Sequence, residues 1–225
     1  MPWHPSMGSR FTSNTLNSNS ELLKFTTRMI ITIARQCGCG ALHVGEALAR
    51  HYHLPIYTRM NLLDMARGRG ILNEMDDFFE ERPVDDLLFA ISDDYRAATG
   101  RVNDRPQRML ADMLGRESCI IVGRCGNYIF RHRPDLVSVF LKGNIHKRIR
   151  NIEAERSMPY REAKEFVQEQ DDRRLTYHRF HTGLTWGNAD DYDLCLDSCR
   201  LTADQTALLI EDYIDHVQVK RHTFE

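Results

Sequence analysis

At 225 residues, with 42% hydrophobic and 28% charged side chains, the chain has the composition of a soluble globular protein able to bury a full core. A formal charge of −2 supplies no global attraction to nucleic acid or to an anionic membrane. No apolar run approaches the roughly 20 residues that cross a bilayer.

Residues 1–28 are rich in Ser, Asn and Thr and lack both periodicity and an apolar h-region, so a disordered N-terminal extension is expected there. Met29, immediately before the first strand candidate, is a candidate translation start. "MIITIA" (29–34) reads as a buried strand. "ALHVGEALARHY" (41–52) is an amphipathic helix with Val44, Leu48 and Tyr52 on one face. "LPIYT" (54–58) is a short strand, and residues 59–117 are mostly helical, with breaks around Pro83 and around "TGRVNDRP" (99–106).

"SCIIVG" (118–123) is a second buried strand, followed by the short helix "GNYIFRH" and a third long strand, "LVSVFLKG" (136–143). A helix covers about 144–156. The basic run "KGNIHKRIR" (142–150) that opens it is followed by Glu153 and Glu155, and reads as a solvated face rather than a nucleic-acid stripe. A further helix covers 157–180, with Ser157 as cap and Pro159 in the first turn. "YDLCLDS" (192–198) is the last strand, and a helix capped by Thr202 covers 202–218. Strands alternating with helices require right-handed crossovers, hence a parallel sheet with helices on both faces and ligands at the carboxyl ends of its strands.

Of the six cysteines, Cys37, Cys39, Cys119, Cys125, Cys195 and Cys199, three lie in or beside apolar runs, the pattern of reduced thiols in a cytoplasmic protein. Cys37, Cys39 and His43 form a possible metal set but lack a fourth ligand at zinc-site spacing.

The loop after the first strand, "ARQCGCGAL", carries the chemistry. Gly38 and Gly40 let successive N–H groups point inward, and the helix starting near Ala41 adds its positive end, so a phosphate can be held by backbone. Against G-x-x-x-x-G-K-[ST], Arg35 stands at the first glycine, Gly40 at the second, and Ala41 and Leu42 replace the lysine and the hydroxyl.

In order and spacing, "IITIARQCGCGALHVGEALA", "CIIVGRCGNYIF" and "QDDRRLTYHRFHTGLTWGNADDYDL" resemble the cytidylate-kinase-like family, a branch of the P-loop nucleoside monophosphate kinases. The resemblance spans about residues 29–216 and is weakest through 59–105. It implies a three-layer α/β/α sandwich with a parallel sheet of about five strands, a helical NMP-binding insertion (about 59–117) and a lid (about 157–190), all within a domain of residues 29–225. The family writes its first loop R-[QE]-x-G-S-G-G; Arg35, Gln36, Gly38 and Gly40 match, and Cys39 and Ala41 depart. After the second strand the family has Tyr-Asp, here Tyr57-Thr58.

Carried over residue by residue, Arg35, Gly38, Cys39, Gly40, Ala41 and Leu42 would hold donor phosphate. Gly123 and Arg124 would hold the acceptor, with Cys125 where the family has aspartate. Asp171, Tyr177 and Trp186 would belong to the lid, and Arg173 and Arg174 would neutralise charge during transfer. His178 and His181 are expected to pack rather than act as bases. ATP and Mg²⁺ are the implied cofactors, the latter held by nucleotide oxygens and water, and small-molecule nucleotides the implied partners. Three readings stay open at this stage: an ATP-dependent nucleoside monophosphate kinase of cytidylate type, a non-catalytic nucleotide- or anion-binding protein on the same scaffold, and thiol redox or metal sensing through Cys37 and Cys39 in the loop.

Overall fold

The computed structural model describes residues 28–80, 105–115 and 117–223. Residues 1–27 of the expected extension, the break expected around Pro83 and residues 99–104 of the break expected at 99–106 lie outside the described residues. Five strands form one sheet: β1 (Ile30–Arg35), β2 (Ile56–Tyr57), β3 (Cys119–Val122), β4 (Leu136–Lys142) and β5 (Leu194–Asp197). Their order is β2-β3-β1-β4-β5, and every pairing is parallel. Register sets Ile33 beside Val122 on one side and Arg35 beside Leu141 on the other. The loop leaving β1 therefore emerges between the carboxyl ends of β3 and β4.

β-Branched residues explain the central position of β1. Ile30, Ile31 and Ile33 are fully buried and Thr32 is 2% exposed, as expected for a strand covered on both faces. Helix α1 (Ala41–Tyr52) and the long C-terminal helix α8 (Ala203–Thr223) cover one face. Val44, Leu48, Ala207, Ile210 and Ile214 meet Ile31, Ile33, Val139 and Leu141 there. The other face takes α2 (Arg59–Gly68), α3 (Leu72–Glu80), α4 (Arg105–Leu114) and the short α5 (Gly126–Ile129). Leu62, Phe78, Phe79 and Leu110 pack with Ile30 and Ile121 in that layer. Each fully buried side chain of this size contributes about 1.5–3 kcal/mol.

α6 (Ile145–Arg156) and α7 (Tyr160–Thr182) form a pair at the carboxyl end of the sheet. Ile149 and Ile152 of α6 meet Ala163 and Val167 of α7 around Cys37.

Most expected elements fall within a residue or two of place; α5 stops earlier than expected, at Ile129, α8 runs on to Thr223, and three further details differ. Ser157 does not cap α7; with φ 52° it ends α6 in the left-handed region, and Pro159 is the N-cap of α7. Two helices joined by so short a turn need one residue to reverse the chain, and that demand overrides serine's capping preference. The final strand stops at Asp197 because residues 198–200 turn into a 3₁₀ helix. The basic run is not solvated throughout, since Arg148 is 6% exposed. Thr202 caps α8 as expected: its Oγ accepts the Gln205 amide (3.1 Å) while the Gln205 side chain accepts the Thr202 amide (2.9 Å).

Candidate functional site

The loop after β1 is held from outside by its carbonyls. The Cys37 carbonyl accepts from Arg148 Nη1 (3.2 Å), the Gly38 carbonyl from Asn151 Nδ2 (2.8 Å) and the Cys39 carbonyl from Ser198 Oγ (2.9 Å). Gln36 ties the loop to β4, accepting the Gly143 amide at 3.0 Å. Turning successive carbonyls outward turns the amides of 38–42 the other way. Among the described residues no acceptor pairs with the amides of Gly38, Cys39, Gly40, Ala41 or Leu42. Gly40 (φ 66°) is the N-cap of α1 with no side-chain cap, so the positive end of a 12-residue helix opens onto the same loop. Backbone alone makes this an anion cradle.

The two glycines have different reasons. A Cβ on Gly38 would lie 2.4 Å from the Arg148 carbonyl oxygen, so glycine is required where α6 backbone crosses the loop. A Cβ on Gly40 would meet nothing, and the constraint there is its positive φ.

After β3, Gly123, Arg124 and Cys125 all have positive φ (84°, 57° and 53°), a strained turn that carries the chain into α5. The Arg35 side chain crosses Gly123, its Nη1 being 2.3 Å from where a Cβ would sit. Arg124 is 4% exposed and donates from Nη1 to the carbonyls of Phe78 (3.3 Å) and Phe79 (2.7 Å) in α3. Tyr177 Oη donates to the same Phe78 carbonyl at 2.8 Å, and its ring lies under the Arg124 guanidinium.

One face of α7 completes the site. Asp171, Arg174, Tyr177, His178 and His181 recur at helical spacing and turn inward. The Asp171 carboxylate accepts the Cys37 amide (2.7 Å) and pairs with Arg148, both side chains being largely buried. Arg174 donates to the Arg35 carbonyl at 3.3 Å and lies 4.0 Å from Asp171. Arg173 points the other way and pairs with Glu169 (2.5 Å) on the exposed side of the helix. Trp186 packs edge-on against Phe140, 5.5 Å between ring centres.

Arg35, Arg124 and Arg174 line a small cavity with Asn127, His178 and Trp186. Among the described residues no carboxylate lines it. Its volume is about 20 Å³, room for a water molecule. Burial lowers the His178 imidazole to about 4, against a smaller opposite pull from Asp191. It lowers His181 to about 4 as well, aided by the Arg124 charge. Both are neutral packing groups at pH 7. A larger open cleft of about 430 Å³ lies at the amino end of β4, lined by Arg131 and Arg133 together with Asp190, Asp191 and Asp193, and it lacks the loop and the strand ends.

Of the residues expected from sequence, Arg35, Gly38, Cys39, Gly40, Gly123, Arg124, Asp171, Arg174, Tyr177 and Trp186 gather at the carboxyl ends of β1 and β3. Ala41 is buried at the helix start, Leu42 is 45% exposed, and Arg173 stands apart. Arg148, Asn151 and Ser198 were not expected. Arg148 had a sequence signal: with Ile145, Ile149 and Ile152 it lies on one helical stripe.

Residues 30–200 match the cytidylate kinase-like family. The chain belongs to that family. A cytidylate kinase from Methanopyrus kandleri is 26% identical over 201 residues, covering 85% of this chain and 95% of that protein. An uncharacterized protein from Eubacterium ventriosum superposes with a TM-score of 0.61 at 24% identity, covering 84% of this chain and 99% of the other. A gluconokinase from Sinorhizobium meliloti gives 0.53 at 15% identity, over 86% and 99%. The structural likenesses concern the fold, the α/β fold of P-loop kinases.

Within this cytidylate kinase-like scaffold the described residues do not fit a protein-held Mg²⁺. Leu42 offers no side-chain oxygen, β3 ends at Val122 with Gly123 following, and among the described residues no three His, Cys, Asp or Glu side chains converge on a metal position. The Cys37–Cys39–His43 set fails on the same ground.

Proposed function

We propose that the chain is an ATP-dependent nucleoside monophosphate kinase of cytidylate type, working in the cytoplasm. The observation that carries the reading is the convergence of Arg35, Arg124 and Arg174 on one cavity at the ends of β1 and β3, beside the loop after β1. A kinase acting on a hydroxyl needs a carboxylate base at the acceptor; one acting on a phosphate needs charge neutralisation and alignment. On this reading the amides of residues 38–42 hold the donor phosphates, Arg35 and Arg124 hold the acceptor phosphate, and Arg174 closes over the transferring group. Arg124 has to leave the α3 carbonyls, or share them, when the acceptor enters. Arg173 contributes through helix stability and stays outside the chemistry.

A second reading, nucleotide binding without turnover, is favoured by Ala41 and Leu42, which supply neither the mobile cation nor the metal ligand of an ordinary phosphate loop. Calorimetric titration with ATP, with and without Mg²⁺, followed by a transfer assay on CMP, dCMP and UMP, separates the two. The kinase reading expects saturable micromolar binding and transfer to a pyrimidine monophosphate. Binding without transfer to any acceptor leaves the second reading; no heat at millimolar ATP from folded protein removes both.

A further inference from the structure

Cys39 and Cys199 bring their sulfurs to 4.0 Å across 160 residues of sequence. Cys39 is the central residue of the phosphate loop, and Cys199 sits in the 3₁₀ turn that leaves β5. The contact is built from both sides. Ser198 Oγ donates to the Cys39 carbonyl (2.9 Å), fixing the turn against the loop. The Cys199 sulfur lies 2.3 Å from where a Cβ on Gly143 would stand, so glycine there makes room for the thiol. The adjacent Cys37 faces away, into the α6–α7 cluster, so the two loop cysteines do not pair with each other.

We propose that Cys39 and Cys199 are a redox-modification site, forming an intramolecular disulfide with a peroxide as the oxidant. The half-buried Cys199 is the reachable thiol, whereas Cys39 is 4% exposed. Burial, with the Asp197 charge, pushes the Cys199 thiol up, while the Cys39 contact and the charges of Arg148 and of Lys147, whose Nζ lies at the Cys199 carbonyl (3.3 Å), pull it back. Burial and the neighbouring Cys199 raise Cys39 to about 12, against smaller opposite pulls from Ser198 and Arg148. Cys199 therefore reacts first: its thiolate attacks one peroxide oxygen, the O–O bond breaks, hydroxide leaves, and a sulfenic acid remains. Cys39 then gives up its proton and attacks the Cys199 sulfur, forming the S–S bond and expelling the second hydroxide. The two thiol protons convert the two hydroxides to water, and the two electrons lost by sulfur reduce the peroxide. The sulfurs must approach from 4.0 Å to about 2.05 Å, a side-chain-scale movement. The product staples the phosphate loop to the β5 turn. The inference stands apart from the nucleotide reading, because neither the pair nor its chemistry requires a ligand.

The test is oxidation of the reduced full chain with hydrogen peroxide, alkylation of remaining thiols, and peptide mapping without reductant. A Cys39–Cys199 cross-linked peptide that disappears with dithiothreitol is expected. Closing so long a loop is expected to raise the melting temperature of the oxidised protein by about 5–10 °C, an increase absent in Cys199→Ser. Linkage of either cysteine to another partner overturns the proposal, as does over-oxidation of Cys199 with Cys39 still alkylatable. Mapping the unsubstituted chain keeps the test decisive even if a variant folds poorly.

Discussion

The Asp171 carboxylate on α7 accepts the backbone N–H of Cys37 at 2.7 Å, so an α7 side chain occupies one amide of the loop after β1. The same carboxylate pairs with Arg148, whose other bonds hold the loop carbonyl of Cys37 and the Gly143 carbonyl. One side chain thus joins α7, the loop after β1 and α6. Asp171→Ala strands a buried guanidinium and an unpaired amide, and is expected to cost roughly 3 kcal/mol, read by urea unfolding. Asp171→Asn removes the negative charge while keeping an acceptor. It is expected to tighten inorganic triphosphate binding several-fold at low salt; unchanged or weaker binding would show that the carboxylate does not compete with anions for the loop.

Gly38 and Gly40 separate close approach from backbone angle. Gly38→Ala drives a Cβ into the Arg148 carbonyl as well as straining φ 80°, and more than about 2 kcal/mol of stability should be lost. Gly40→Ala meets open space and is expected to cost about 1 kcal/mol. Equal losses in thermal or urea melts would contradict the packing of α6 on the loop.

The adjacent arginines of α7 should behave oppositely. Arg173 makes an exposed pair with Glu169, so Arg173→Ala is expected to change stability by about 0.5 kcal/mol or less and leave phosphoryl transfer within a few-fold. Arg174→Ala removes an inward guanidinium and should lower kcat/KM by roughly 10³-fold on the kinase reading. Similar kinetics for the two variants would remove Arg174 from the chemistry.

His178 and His181 make stability depend on acid. Each titrates at about 6.5 when unfolded and at about 4 when folded, chiefly through burial. Above pH 6.5 both states are neutral and the stabilisation is complete. As pH falls from 6.5 towards 4, the unfolded chain takes up protons that the folded one refuses, and stability is lost, by up to about 3 kcal/mol per histidine. Urea midpoints measured between pH 7 and 4 should fall accordingly, and His178→Phe should flatten the slope. A midpoint rising over that range would contradict the assignment.

Local rules carried much of the architecture. The β-branched run Ile30–Ile33, the apolar "CIIV" of β3 and the Val44–Leu48 stripe of α1 each satisfy one environment, so element type follows from residue order. The Thr202–Gln205 box closes within four residues and was legible for the same reason. Alternation of strands and helices then restricted the sheet to parallel crossovers, and the glycines of the β1 loop pointed to its carboxyl end.

Tertiary structure decided what depends on contacts distant in sequence. That Arg174 faces inward and Arg173 outward follows from how α7 lies across Arg35, 139 residues away. Arg124 meets the α3 carbonyls 45 and 46 residues upstream, a pairing no local pattern encodes. Arg148 became a loop anchor because α6 packs directly on Gly38, which desolvates one position of an otherwise solvated basic run. Cys39 found Cys199 rather than its neighbour Cys37 because β1 and β5 end on the same side of the sheet. A sequence fixes which faces are apolar through local spacing, whereas the partner of a charged group or thiol is set by packing angles that only the assembled layers define.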